Sequence, residues 1–175
     1  TYAPKNTYQV TTIANESLSS GSSTPSGWAE FGGDYFVMSA GSGSGWVTLW
    51  NSTWGGDQSK RPPVDTGIVR RFTVPSFQAG DFVDARVFAA ATFTDSTSFA
   101  RIRLVFNNPN GVVLASYDSD RLAQSSYGNL ELTGTAIPAG AATVDVILNA
   151  YLGPAETSSF YAQNLSVQSK RQVLK

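Results

Sequence analysis

The sequence predicts an all-β protein, a two-sheet antiparallel β-sandwich whose simplest arrangement is a jelly roll. Three observations carry this. No segment sustains an amphipathic helical period over three turns. Apolar residues instead alternate with polar ones in short runs, about eight to ten of them, separated by turns rich in Gly, Ser and Pro. The length of 175 residues suits one well-buried domain better than two.

Composition narrows the function. A hydrophobic fraction of 41% supports a packed core, while 14% charged residues is low, so the surface must be built from Ser, Thr, Asn, Gln and Gly. A formal net charge of −1 gives no electrostatic footprint for nucleic acid or anionic lipid. The chain has neither cysteine nor histidine. Disulfides, thiolate nucleophiles, the usual zinc ligands and the commonest general base are therefore excluded, leaving carboxylates and lysine for acid–base work. No apolar run reaches the roughly 18 residues of a membrane span, and nothing at the N-terminus reads as a signal peptide. The expected setting is extracellular or a virion surface, reached after removal of a signal or by release in an assembled particle.

Taken in order, residues 1–12 are polar and extended, with Tyr8 and Val10 as anchors: a first strand, or an arm that reaches a neighbouring subunit. Residues 13–168 make the sandwich. Residues 27–54 hold all four tryptophans, Trp28, Trp46, Trp50 and Trp54. Two short strands are expected around Gly32, Gly33 and Asp34. In a strand over 46–51 the indoles of Trp46 and Trp50 share one face, with Val47 and Leu49 on the other. An indole suits a core cap, a subunit interface or a sugar-stacking platform equally. The glycine-rich stretch at 40–45 lacks the following helix and the Lys-Ser or Lys-Thr of a phosphate loop. Pro62 and Pro63 then bar a central strand.

Further on, Ile68 to Val74 reads as a strand, and Val83, Ala85, Val87 and Ala89 form one apolar face. Ile102, Leu104 and Phe106 point inward, and Asn107 to Gly111 turns a hairpin. Asp81, Asp84, Arg86, Arg101 and Arg103 read as a solvated cross-strand ladder. Val144, Val146, Leu148 and Ala150 share a face, and strict alternation in the last strand groups Tyr161, Gln163, Leu165 and Val167. Residues 169–175, with Lys170, Arg171 and Lys175, read as a basic tail.

The stretches FTVPSFQAGDFVDARVF (72–88), IRLVFNNPNGVVLAS (102–116), GTAIPAGAATVDVILNA (134–150) and SSFYAQNLSV (158–167) occur in an order that resembles carbohydrate-binding, galactose-binding-like jelly-roll modules. Such modules occur beside glycoside hydrolases and in phage structural proteins. Asn15, Glu16 and Ser17 with Trp28 resemble the opening of that family. The resemblance implies a non-catalytic module, glycan binding in many members, and a structural calcium near Glu16. Gln163 and Asn164 stand where the family often has acids, and neutral amides are weaker ligands for a hard cation, so no cofactor is expected. Asn129, after Tyr127 and Gly128, replaces a frequent aromatic.

Two readings follow. In the first, a glycan stacks on Trp46, Trp50 and Trp54 and is hydrogen-bonded by Asn51, Asp57, Gln58 and Arg61. In the second, the chain is a phage or virus structural protein (a capsid decoration, fibre or tail-associated component), with the N-terminal arm and the Trp-rich loops making contacts in a homo-oligomer. An enzyme is not expected. A glycosidase needs two facing carboxylates, and Glu30, Asp34, Glu131 and Asp145 are unpaired by any spacing. Sequons at Asn15, Asn51 and Asn164 would matter only in a eukaryotic secretory pathway.

Overall fold

The computed structural model describes residues 7–18, 25–32, 37–40, 47–50, 62–73, 78, 80–123, 125–154 and 160–173, with 37–40, 47–50 and 125 described by backbone alone. The described residues form twelve strands and no helix: β1 (Thr7–Glu16), β2 (Ala29–Phe31), β3 (Val37–Ala40), β4 (Val47–Trp50), β5 (Val64–Thr73), β6 (Phe82–Thr92), β7 (Phe99–Asn107), β8 (Val113–Asp118), β9 (Leu122–Ala123), β10 (Ser125–Ala136), β11 (Thr143–Leu152) and β12 (Phe160–Val173). One sheet, A, runs β10-β6-β12-β4-β3, with β1 also paired to β12. The other, B, runs β2-β5-β11-β7-β8, with β9 also on β7. Every pairing is antiparallel.

The two inner faces are complementary in size. From β6, sheet A supplies the buried Val83, Ala85, Val87, Ala89 and Ala91. Sheet B answers with Ile102, Leu104 and Phe106 of β7 and Val146 and Leu148 of β11, all fully buried. Small side chains facing large ones let two layers about 10 Å apart interdigitate, and these residues form one contiguous cluster. The strict alternation read in β6, β7 and β11 is the cause: each inward residue is flanked by polar or half-exposed neighbours.

Four local expectations differ from the structure. The strands on either side of Gly32 and Gly33 exist, but β2 pairs with β5 in sheet B and β3 with β4 in sheet A, so the chain crosses between sheets there. In β12, Phe160 and Ala162 are buried together with Leu165 and Val167, while Tyr161 and Gln163 are only half-buried. A β-bulge explains this. Asn164 has φ +55°, a left-handed conformation that Asn tolerates, and the register slips by one residue against β6 between Gln163 and Ser166. The extra residue inverts the alternation, and the Asn164 N–H donates to the Ser17 carbonyl at 3.2 Å.

The other two differences concern charge and chain ends. Residues 7–16 pair along 165–173 of β12, so β1 and β12 run through the boundaries at 12/13 and 168/169. Lys170 binds Asp84, and Arg171 grips Asp81 at 2.8 and 2.9 Å, so both basic residues are fixed on the sheet. The expected single ladder is thus split: Arg101 and Arg103 share Asp118 of β8, and Asp81 and Asp84 pair with β12.

These contacts set an acid response. The Arg171 guanidinium, against the opposing effect of burial, and the Gln78 N–H hold the Asp81 carboxyl below its ordinary value. At Asp118 the bond from Arg103 does the same. At Asp84 burial pushes upward, but bonds from Lys170 and the Gly134 N–H outweigh it. A carboxylate depressed on folding stabilises above its unfolded value, about 4, and the gain is lost as pH falls through the folded value. Urea midpoints are therefore expected to hold between pH 7 and 5 and to fall steeply below pH ~4. Asp81→Asn should cost about 2 kcal/mol at pH 7 and flatten that fall.

Candidate functional site: the outer face of sheet A

Of the residues predicted to form a site, Trp46, Asn51, Trp54, Asp57, Gln58 and Arg61 lie outside the described residues. Trp50 is described by its backbone, which pairs with Val37 at the end of β4. Trp28 is buried, meets Phe72 edge-on at 6.5 Å, and donates its Nε1–H to Glu16 Oε2 at 2.6 Å. That indole is a structural cap.

The described residues place a different constellation on the outside of sheet A. Because Val83, Ala85, Val87 and Ala89 point inward, Asp84, Arg86, Phe88 and Ala90 point outward. Register then lays out three rows. Tyr127 of β10 pairs with Ala90, and Ala90 with Tyr161 of β12. Asn129 pairs with Phe88, and Phe88 with Gln163. Glu131 pairs with Arg86, and Arg86 with Ser166.

The first row has the shape of a trough. With strands about 4.8 Å apart, the two tyrosines rise from backbones about 10 Å apart across the low floor of Ala90. Tyr127 is 80% exposed, an unusual position for a large aromatic. The third row opens into a polar cleft of about 300 Å³ lined by Asp84, Arg86, Glu131, Thr133, Ser166 and Gln168. Phenol rings beside amide, carboxylate and guanidinium groups can stack on an apolar ring face and bond the hydroxyls around its edge. The clue in the sequence was the alternation of Tyr127, Asn129 and Glu131 with the inward Leu130 and half-buried Leu132.

The calcium implied by the resemblance does not fit these residues. The Glu16 carboxylate takes a bond from Trp28 and an ion pair from Arg70, and Arg70 lies 4.9 Å from the Phe72 ring centroid. The Ser17 carbonyl is taken by Asn164. Among the described residues no three acidic or other metal-ligating side chains converge. A calcium ion takes roughly six to eight oxygens from carboxylates, carbonyls and water, and here, among the described residues, a guanidinium already neutralises the Glu16 carboxylate. The melting temperature is expected to be unchanged by EDTA, while Arg70→Met should cost about 1–2 kcal/mol. A large drop on chelation would contradict this.

Of the carboxylates considered for catalysis, the three among the described residues do not meet. Glu131 stands on the outer face of sheet A. Asp145 stands on the outer face of sheet B, held by Arg71 at 2.7 and 3.0 Å and by Asn107 at 3.1 Å. Glu30 is exposed on β2, and Asp34 lies outside the described residues. Among the described residues, no helix is long and apolar enough to cross a membrane.

Comparison with solved structures agrees with this architecture. The C-terminal family 22 carbohydrate-binding module of Clostridium thermocellum Xyn10B superposes with a TM-score of 0.58 at 15% identity, covering 94% of this chain and 96% of that one. The chain has the fold of a carbohydrate-binding module. A xylan-binding domain of the same family 22 gives 0.59 at 16% identity over 89% of this chain and 93% of that one. The enzymatically active domain of tailspike protein 4 from bacteriophage CBA120 gives 0.53 at 12% identity, over 85% of this chain but 20% of that one. No family model matches the sequence, and no curated protein matches it.

Proposed function

We propose that this chain is a non-catalytic glycan-binding module acting outside a cell, and that it holds a neutral polysaccharide along the outer face of sheet A. The observation that carries this reading is the exposed Tyr127 facing Tyr161 across Ala90, with Asn129, Gln163, Glu131 and Arg86 in the adjoining rows. Two of the structurally similar domains come from family 22, one of them named as a xylan binder. Xylan is therefore the first polysaccharide to test. Glu131 and Asp145 stand on opposite faces of the sandwich, and Asp84, which shares the cleft with Glu131, is committed to Lys170 and the Gly134 N–H, which supports binding without hydrolysis.

The test is affinity electrophoresis of the purified chain through gels containing xylan, mixed-linkage glucan or galactan. Retardation by at least one, with no new reducing ends after long incubation, is the expected result. Unchanged mobility in every gel would count against the reading. A second reading is favoured by the tailspike likeness: a domain of a phage particle, working on a virion surface through contacts with neighbouring subunits. Light scattering separates the two, because that reading expects a defined oligomer with unchanged mobility in every gel.

A further inference from the structure

A second cleft lies on the opposite side of the sandwich, on the outer face of sheet B. Its volume is about 550 Å³, and it is lined by Ser96, Thr97, Phe99, Arg121, Ala123 and Tyr151. Register explains how it is assembled. Phe99 of β7 pairs directly with Tyr151 of β11, and both point outward because Ala100 and Ala150 are buried. Their rings stack at 5.4 Å with an interplanar angle of 18°.

Two arginines reach the same ring. The Arg101 guanidinium lies 5.3 Å from the Phe99 centroid and is already committed, to Asn149 Oδ1 at 2.8 Å and to Asp118 at 3.2 Å. Arg103 takes the rest of Asp118. Arg121 lies closer, 3.9 Å from the centroid. Among the described residues it makes no ion pair. The acids nearby are engaged or apart from it: Asp118 feels the Arg121 charge but is bonded to Arg101 and Arg103, Asp65 accepts from Asn149, Asp95 accepts from the N–H and hydroxyl of Thr97, and the adjacent Asp120 is exposed and forms no ion pair with it. A guanidinium laid on an aromatic face keeps its N–H edge available for a carboxylate in a two-point bond.

We infer that this cleft is a second binding site, independent of sheet A, which takes an acidic sugar. The carboxylate of a uronate residue bonds to Arg121, its pyranose ring lies against Tyr151 at the end of the Arg121–Phe99–Tyr151 stack, and the exposed Ser96 and Thr97 border its hydroxyls. The volume is within the range of about 300–1,000 Å³ typical of small-ligand sites. A free inorganic anion would use the guanidinium alone, whereas an acidic sugar uses the aromatic wall as well.

The test is an amide-shift titration of the full chain with three probes: an oligosaccharide bearing one glucuronate, the same oligosaccharide without it, and sodium sulfate. The glucuronate probe is expected to move the amides of Thr97, Phe99, Ala123 and Tyr151. Read at those four amides, Arg121→Ala should weaken binding about tenfold or more, Arg121→Lys should restore part of it, and Tyr127→Ala, which removes the sheet A site, should leave the shifts of those four amides in place. The Arg121 side chain is exposed, so spectral dispersion serves as the check on folding. Equal shifts of these four amides with the uncharged probe, the same shifts with sulfate alone, or undiminished affinity at these amides in Arg121→Ala would each overturn the inference. Loss of neutral polysaccharide binding in Tyr127→Ala reports on sheet A alone, so the two sites fail separately.

Discussion

Tyr127→Ala is expected to weaken polysaccharide binding about tenfold or more while leaving the melting temperature within about a degree of the parent. The asymmetry follows from position. At 80% exposure the ring contributes little to the folded core, so removing it leaves neither a cavity nor an unsatisfied group. In a complex the same ring would be covered, and large rigid aromatics carry a disproportionate share of binding energy. Tyr127→Phe should keep most of the affinity if stacking dominates and lose several-fold if the hydroxyl is bonded. Isothermal titration beside a thermal melt separates these effects. Tyr127→Ala with undiminished binding would remove the trough from the account.

Gly67→Ala is expected to be the most damaging single methyl in the described sandwich, costing about 3 kcal/mol or more. Gly67 sits in β5 between Phe31 of β2 and Asn149 of β11. A Cβ there would lie 2.0 Å from the Leu148 carbonyl oxygen and 3.0 Å from Phe31 Cζ. The oxygen belongs to a central strand and cannot swing away. Around this point Thr66 donates to the Phe31 carbonyl, and the buried Asn149 side-chain amide donates to Asp65 and to the Thr66 carbonyl. Displacing β5 would unmake several bonds to buried polar groups at once. Urea denaturation measures the cost, and loss below about 1 kcal/mol would mean that β5 and β11 slide apart easily.

Much of the sandwich was legible because its central strands keep a strict two-residue period. β6, β7 and β11 each place apolar residues on one face over nine or more residues, and Asn108 with Gly111 marks the β7–β8 turn. The Asn108 side chain accepts from the N–H groups of Asn110 and Val112, both at 2.9 Å, the local bonding that makes such a turn readable. β12 departs from strict alternation for the opposite reason. One residue in a left-handed conformation inverts every side chain before it, and nothing in the composition of Gln163 and Asn164 announces that slip. The ion pairs were equally hidden. Asp81 meets Arg171 and Asp84 meets Lys170 across 90 and 86 positions, distances that only the sheet order closes.

The site was less legible than the fold. Trp46, Trp50 and Trp54 stand out in the sequence because tryptophans cluster there, and we propose that stretch as a binding or packing surface. Tyr127, Phe88, Tyr161 and Gln163 come from three strands and are unremarkable one by one. They become a surface only when β10, β6 and β12 lie side by side, with the bulge turning Tyr161 and Gln163 outward.

The most direct test of glycan binding on this face is an amide-shift titration of the full chain with a neutral xylo-oligosaccharide. Saturable shifts concentrated at Phe88, Ala90, Gly128, Asn129 and Gln163 are the expected result. Shifts concentrated elsewhere, or none at millimolar saccharide, would contradict it.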